Sequence, residues 1–451
     1  MVVQIVITNN NNNDNYGAGV NVKTEDTISV WVPNGQTEFY KQIGNRFLSE
    51  NPDVKYKLSF QDSDTGSAAG MLIADNAICS DIVAISSDNV GKLKQVNVIK
   101  PIKSDSLKNQ VVENNATKIQ DIVNIDGELC GVPFSVQSLF LYYNKKYVSA
   151  SDVCSFEGLQ YAASKVGEFT KGWTVTGSDG FNLTFTLLAR QESNGYTSLK
   201  LYDGLKNEYG SCWAQGDDEV ASLKWLNKMY HESNGFGLPD STPWEVEVQN
   251  GRCLSVIGGD WHYDIFVRAV GGEENVGIAP IPVYTIDEQS AYGTIKAGTV
   301  MRGGSFADAK VFVLNSKSLD AKTDAEERLV AYLTSKEVQK ESFLQSLSTP
   351  TYPSFKTELV EIENQHLLDE PRLSEAKALS QMLEFSIPQP FVTGLMNTYY
   401  YSKNAPDYYF RAIMDNELTD RKVQETLYKM QHIWRKGQSP SSIPEVLPED
   451  I

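Results

Sequence analysis

Between residues 28 and 85 the chain alternates short apolar runs with amphipathic helix patterns, and that rhythm constrains the fold more than any other feature. ISVWV at 28–32 is an apolar run stopped by Pro33-Asn34-Gly35, the signature of a buried strand ending in a turn. Phe39, Ile43 and Phe47 recur every four residues and predict a helix over 37–49 with one apolar stripe. Val54, Tyr56, Leu58 and Phe60 alternate with polar residues, as a strand does. A small-residue helix at 68–76 then leads into DIVAI at 81–85, a second buried strand. Strand, helix, strand, helix, strand at these spacings predicts an α/β fold on a mostly parallel sheet.

The pattern returns downstream. Residues 131–143 read as extended, 158–168 and 185–191 as helical, 223–232 as helical, and 253–258 as a strand entering Gly259-Asp260-Trp261. Extended segments follow at 277–282 and 310–314, and from about 324 the chain is mainly helical, over 325–333, 335–347, 374–383, 408–418 and 423–434. No period of 20 to 50 residues repeats, which excludes a solenoid. At about 150 residues per domain, 451 residues allow two or three domains. The expected picture is two α/β lobes with a helical C-terminal region.

Charge and cysteine content narrow the class. Forty basic against 58 acidic side chains give a net charge of −18. A nucleic-acid binder needs a Lys/Arg surplus on some face, so nucleic acid is not an expected partner, nor is a bare anionic membrane. No stretch approaches the roughly 18 to 20 apolar residues of a membrane span. MVVQIVITNN has no basic n-region and does not read as a signal peptide, and NNNNNDN at 9–15 makes residues 1–25 a solvated tether. The five cysteines (Cys79, Cys130, Cys154, Cys212, Cys253) are scattered without a CxxC, so neither a zinc site nor a disulfide framework is expected.

Catalytic motifs are missing in turn. There is no GxxxxGK[ST] and no GxSxG, and His231-Glu232 starts an HExxH that fails at Gly235. Asp62-x-Asp64-x-Gly66 lacks the remaining ligands of a calcium loop. Aromatic and polar residues instead gather where strands end: Trp31 before Pro33, Ser87-Asp88-Asn89 after 81–85, and Trp261-His262-Tyr263 after 253–258. In open α/β sheets that edge is the ligand crevice. A sugar presents C–H faces that lie on aromatic rings and a belt of hydroxyls that wants Asp, Asn and Gln, so carbohydrate suits these loops better than a metal or nucleotide. No catalytic residue, metal or cofactor is expected.

Five segments, in order, resemble the bacterial extracellular solute-binding proteins of the maltose-binding-protein type. They are ISVWVPNGQTEFYKQIGNRFLSE at 28–50, the stretch 81–102, GELCGVPFSVQSLFLYYNK at 127–145, GRCLSVIGGDW at 251–261, and 302–315 with 326–343. The resemblance implies a two-lobed periplasmic-binding-protein-like fold. Residues 26–136 plus 281–345 would form the N-terminal lobe and 137–280 plus 346–451 the C-terminal lobe, with crossing strands near 136–140 and 278–284. It implies an oligosaccharide ligand gripped by hinge closure, delivery to the transmembrane permease subunits of an ABC importer, a monomer, and an extracellular, cell-surface location through a lipidated N-terminus in the precursor.

The same resemblance carries contacts over residue by residue. The loop after the first strand implies Asn34, Gly35 and Gln36, and the next loop implies Ser87, Asp88 and Asn89, with Asp88 the foremost polar contact and helix capping its alternative role. Gln137 stands where the maltose-binding relative has an acid. Asp260, Trp261 and Tyr263 come with the stacking tryptophan, whereas Trp31 on its buried strand reads as core. Asp179, Phe181 and Asn182 fall in a contact-supplying loop. Tyr408 and Arg411 match an aromatic and an arginine on a helix facing the cleft, with Arg411 also readable as a surface charge. Tyr400, within the inserted Tyr399, Tyr400 and Tyr401, serves either the cleft or packing between the lobes. Two other classes stay open: a glycan hydrolase using a pair such as Asp260 and Asp264, and a ferric or charged-metabolite binder using the three tyrosines.

Overall fold

In the computed structural model, which describes residues 25–177, 180–194, 216–239, 242–388 and 404–436, Ile28, Val30 and Val32 are fully buried and Trp31 is nearly so. Burial on both faces is what a parallel strand between two others requires. The strand Thr27–Pro33 lies parallel to Lys57–Ser63 on one side and Ile82–Ser86 on the other. The helix Thr37–Glu50 between the first two buries Phe39, Ile43 and Phe47, the expected stripe, together with Tyr40 and Gly44.

The strand Ser305–Asn315 completes this sheet. It runs antiparallel to Ile82–Ser86 through Lys310↔Ser86 and Phe312↔Ala84. It is also antiparallel to Val132–Gln137, with Asp308 opposite Gln137 and an irregularity between Lys310 and Val311. Its first residues pair in parallel with Ser386–Pro388. Tyr40, Phe134 and Phe312 pack as rings in the core behind it. Asp81 is buried just before the interior strand Ile82–Ser86, where its carboxylate accepts from the Ser29 amide at 3.0 Å and hydroxyl at 2.9 Å and faces the Lys322 ammonium at 3.4 Å.

A second sheet orders Val276–Ala279, Phe140–Asn144, Ser255–Gly258 and Thr174–Val175. Its core centres on Phe156, Trp173, Trp225 and Tyr284, with Trp225 and Tyr284 stacked at 3.9 Å between centroids. The fold is therefore two-lobed and α/β, each lobe with its own sheet and apolar core. A small third cluster of Phe343, Tyr352, Phe355, Leu359, Ile362, Leu373 and Ala376 sits apart from both cores.

Two expectations shift. The return crossing comes later than 278–284, because Ile281, Tyr284, Ile286, Ile295, Met301 and Phe306 all pack in the second core. There Val283–Thr285 and Val300–Arg302 pair antiparallel, so the chain re-enters the first sheet only along Ser305–Asn315. The helix expected at 185–191 lies instead at Gly180–Leu187, and Arg190–Gln191 is drawn into a strand against Val300–Arg302. A tertiary partner overrides the local pattern there. No disulfide joins the cysteines among the described residues, and Cys212 lies outside them.

Candidate functional site

The three parallel strands of the first lobe end on one edge, and their following loops form one wall of a cleft of about 810 Å³. Pro33, Asn34 and Gln36 follow the first strand, Asp64, Thr65 and Gly66 the second, and Asp88 the third. Gly35 takes φ +77°, a left-handed turn conformation that glycine adopts without steric cost. The second lobe supplies Asp260 and Trp261 from the turn after Ser255–Gly258, and Tyr263 and Asp264 from the start of the helix Tyr263–Val270. Gln137, Asp308 and Lys310, from the paired crossing strands, also line the cleft, as do Phe343, the 346–349 loop, Arg372 and Glu375.

Trp261 is 46% exposed and seated over Gly259, where a Cβ would lie 2.3 Å from the indole. Beneath it, the Gly259 amide donates to His262 Nδ1 at 3.4 Å. Burial drives the His262 pKa down to about 4, which keeps the ring neutral and able to accept. Tyr142 donates its hydroxyl to the Gly259 carbonyl at 3.0 Å. The tryptophan thus presents apolar ring surface on a rigidly held turn. Tyr263 also lines the cleft, but the Arg372 guanidinium lies 3.8 Å over its ring and occupies one face.

Charge is unevenly distributed. Among the described residues, six carboxylates (Asp64, Asp88, Asp260, Asp264, Asp308, Glu375) line the cleft, opposed by Lys310 and Arg372. Burial and then the Asp308 charge push the Asp88 carboxyl well above its usual range, while Asn89 donates to it at 2.7 Å. Asp308 is driven up to about 6, first by burial and then by Asp260, while Ser87 donates to it and the Ala309 amide does so at 2.8 Å. Glu375 is pushed up to about 7 by burial despite Arg372 at 3.0 Å. Acceptors dominate, so a ligand rich in hydroxyl donors complements the cleft. Gln36 fits that description too. Its amide nitrogen holds the Leu347 carbonyl at 3.3 Å, while its buried Oε1 has no partner.

Of the residues singled out in the sequence, Asn34, Gln36, Asp88, Gln137, Asp260, Trp261 and Tyr263 converge on the cleft. Ser87 and Asn89 are buried behind it and hold Asp308 and Asp88. Asn182 does not line it; its side chain is buried and accepts from Thr176 at 2.8 Å. Tyr408 packs on the second core beneath the Lys429 ammonium, and Arg411 is exposed on a helix lying against Asp217–His231. Both are therefore off the cleft. Asp179, Tyr400 and the Phe181 side chain lie outside the described residues.

Sequence reading missed Asp308 and Lys310, although a charged Asp and Lys inside the apolar run FADAKVFVL were a visible signal. It also missed Arg372 and Glu375, which ordinary helix patterning hides. No group of three or more His, Cys, Asp or Glu side chains among the described residues is placed to hold a metal.

Residues 42–365 match the family described as bacterial extracellular solute-binding protein. The maltodextrin-binding protein MdxE of Bacillus subtilis (strain 168) is 24% identical over 276 residues, covering 58% of this chain and 62% of that protein, less than two thirds of its length. A maltooligosaccharide ABC transporter solute-binding lipoprotein of Streptococcus pneumoniae (strain ATCC BAA-255 / R6) is 24% identical over 332 residues, 69% and 71% of the two chains. Among solved structures, the maltodextrin binding protein MalE1 from L. casei BL23, without ligand, superposes with a TM-score of 0.72 at 18% identity, covering 92% of this chain and 100% of that one. A cyclo/maltodextrin-binding protein complexed with maltotetraose gives 0.64 at 18% identity over 92% and 97%. At such identities these likenesses establish the two-lobed fold.

Proposed function

The chain belongs to the bacterial extracellular solute-binding proteins, and from that premise we propose that it is the substrate-binding component of an ABC importer that captures an oligosaccharide between its lobes. The observation that carries this is the half-exposed Trp261 indole held in a cleft that is also lined by six carboxylates and by the amides of Asn34, Gln36 and Gln137. A pyranose lies with its C–H face on the ring and directs its hydroxyls at Asn34, Asp64, Asp88 and Asp264. The relatives named for maltodextrin and maltooligosaccharide make an α-glucan oligomer the first ligand to test. Hinge closure about the crossing strands would enclose it. The lobes on this reading are 26–136 with 307–345, and 137–306 with the helices after 370. Delivery to permease subunits, a monomeric state and a lipid anchor complete the proposal.

Micromolar affinity, about −8 kcal/mol, is the expected strength. A glycan panel read by intrinsic tryptophan fluorescence tests it. Saturable change with maltooligosaccharides, lost in Trp261→Ala with the fold retained, supports the reading, and a flat response to every glycan overturns it. A glycan hydrolase is the second reading, favoured by the Glu375 carboxyl held near neutrality beside the ligand space. Product formation on incubation with the bound glycan would establish that instead.

A further inference from the structure

Asp260 has the position of a ligand acceptor, one residue before Trp261, yet both of its carboxylate oxygens are already engaged from the opposite side of the cleft. Oδ1 accepts from Gln137 Nε2 at 3.1 Å, and Oδ2 faces Lys310 Nζ at 3.3 Å. Gln137 is the last residue of Val132–Gln137 and Lys310 lies in Ser305–Asn315, and these two strands pair in the first lobe's sheet. Asp260 follows Ser255–Gly258 in the second lobe's sheet. The three side chains therefore bridge the lobes at their junction.

We infer that Asp260, Gln137 and Lys310 form an interlobe clasp that sets the angle at which Trp261 faces the ligand space. On this view Asp260 is a positioning residue, and the proposal deepens the capture reading on which it rests. The charges around the clasp give it a direction. Asp260 acts repulsively on both Asp308 and Glu375, and Lys310 offsets both. Removing the Lys310 ammonium leaves Asp260 and Asp308 facing each other across the lobe junction, with Glu375 beside them and Arg372 already committed to Glu375 and the Tyr263 ring. Like charges at short range in a partly desolvated site repel, and the free protein swings open. The side chains of Lys310 and Asp260 are only 15% and 17% exposed, so solvent screens the pair less than it screens a surface pair. An opened ensemble lowers apparent affinity by the fraction of molecules still in the binding-competent arrangement.

The experiment is small-angle scattering of the ligand-free chain, compared for wild type, Lys310→Met, Asp260→Asn and Lys310→Arg. The clasp predicts a larger radius of gyration for Lys310→Met and recovery in Lys310→Arg. With saturating maltotetraose, wild type and Lys310→Met should scatter alike, with affinity about tenfold weaker in the variant. Asp260→Asn removes the ion pair and the repulsion together, so it should open the free chain less than Lys310→Met. An unchanged radius in ligand-free Lys310→Met overturns the clasp, and if affinity nonetheless falls, Lys310 touches ligand directly. Because the ligand-free comparison needs no sugar, a shifted radius with no glycan bound upholds the clasp while removing the oligosaccharide reading.

Discussion

Gly259 has space for no side chain: a Cβ there falls 2.3 Å from the far edge of the Trp261 indole, although the backbone φ of −102° suits any residue. Gly259→Ala should therefore displace the ring rather than the fold, lowering saccharide affinity about tenfold while the melting temperature stays within a few degrees. Equal affinity in the two proteins would mean that the indole's seat is unimportant. Glu375 offers a second test at this scale. Its pKa in the folded protein, about 7, stands above its ordinary 4.5. The folded state thus holds the proton more tightly, and the resulting destabilisation is complete above about pH 7 and relieved as pH falls towards 4.5. Glu375→Gln abolishes that titration, so the stability difference between variant and wild type should move in the variant's favour from pH 5 to pH 8, by on the order of 1–3 kcal/mol. Chemical denaturation at the two pH values measures it, and an identical difference at both would contradict the assignment. Trp261 and Asp88 were legible in the sequence because each follows a buried strand within a short polar loop. Arg372 and Glu375 were not, since on a helix of mixed polarity nothing local distinguishes a side chain facing a cleft from one facing water.

At the scale of elements, the strand Thr27–Pro33 is pinned at its start by the buried Asp81–Lys322 pair. Lys322 donates to the Thr27 carbonyl at 2.6 Å, and Asp81 takes both donors of Ser29. Lys322→Ala leaves a buried carboxylate without its cation, which should cost about 3–5 kcal/mol in urea unfolding. A loss below about 1 kcal/mol, the usual worth of an exposed pair, would show that the site is effectively solvated. The first five elements could be read directly because short apolar runs and a helical stripe alternate without interruption, although the second strand lies at Lys57–Ser63 rather than over 54–60. The helix at 185–191 was misplaced because the pairing of Arg190–Gln191 with Val300–Arg302 is set by residues more than a hundred positions away. Ser305–Asn315 was recognised only in part for the same reason: its Asp308 and Lys310 break the apolar run to serve the lobe junction rather than the strand.

At the scale of the whole molecule, the two cores and the crossing strands leave a cleft between strand ends, and its lining rather than the fold decides what it holds. The resemblance read from five segments agrees with the family match over 42–365. The later return crossing could not be read, because nothing local says which core takes Ile281, Tyr284, Ile286, Ile295 and Met301, and their packing in the second core, the Tyr284–Trp225 stack included, is a tertiary outcome. The central claim is that the cleft takes a neutral, hydroxyl-rich oligosaccharide. Calorimetric titration with maltotetraose tests this most directly. One site per chain is expected, with micromolar affinity and a negative heat-capacity change as apolar ring surface is buried. Absence of any binding heat from maltotetraose and from the wider glycan panel, at millimolar ligand and several temperatures, would contradict it.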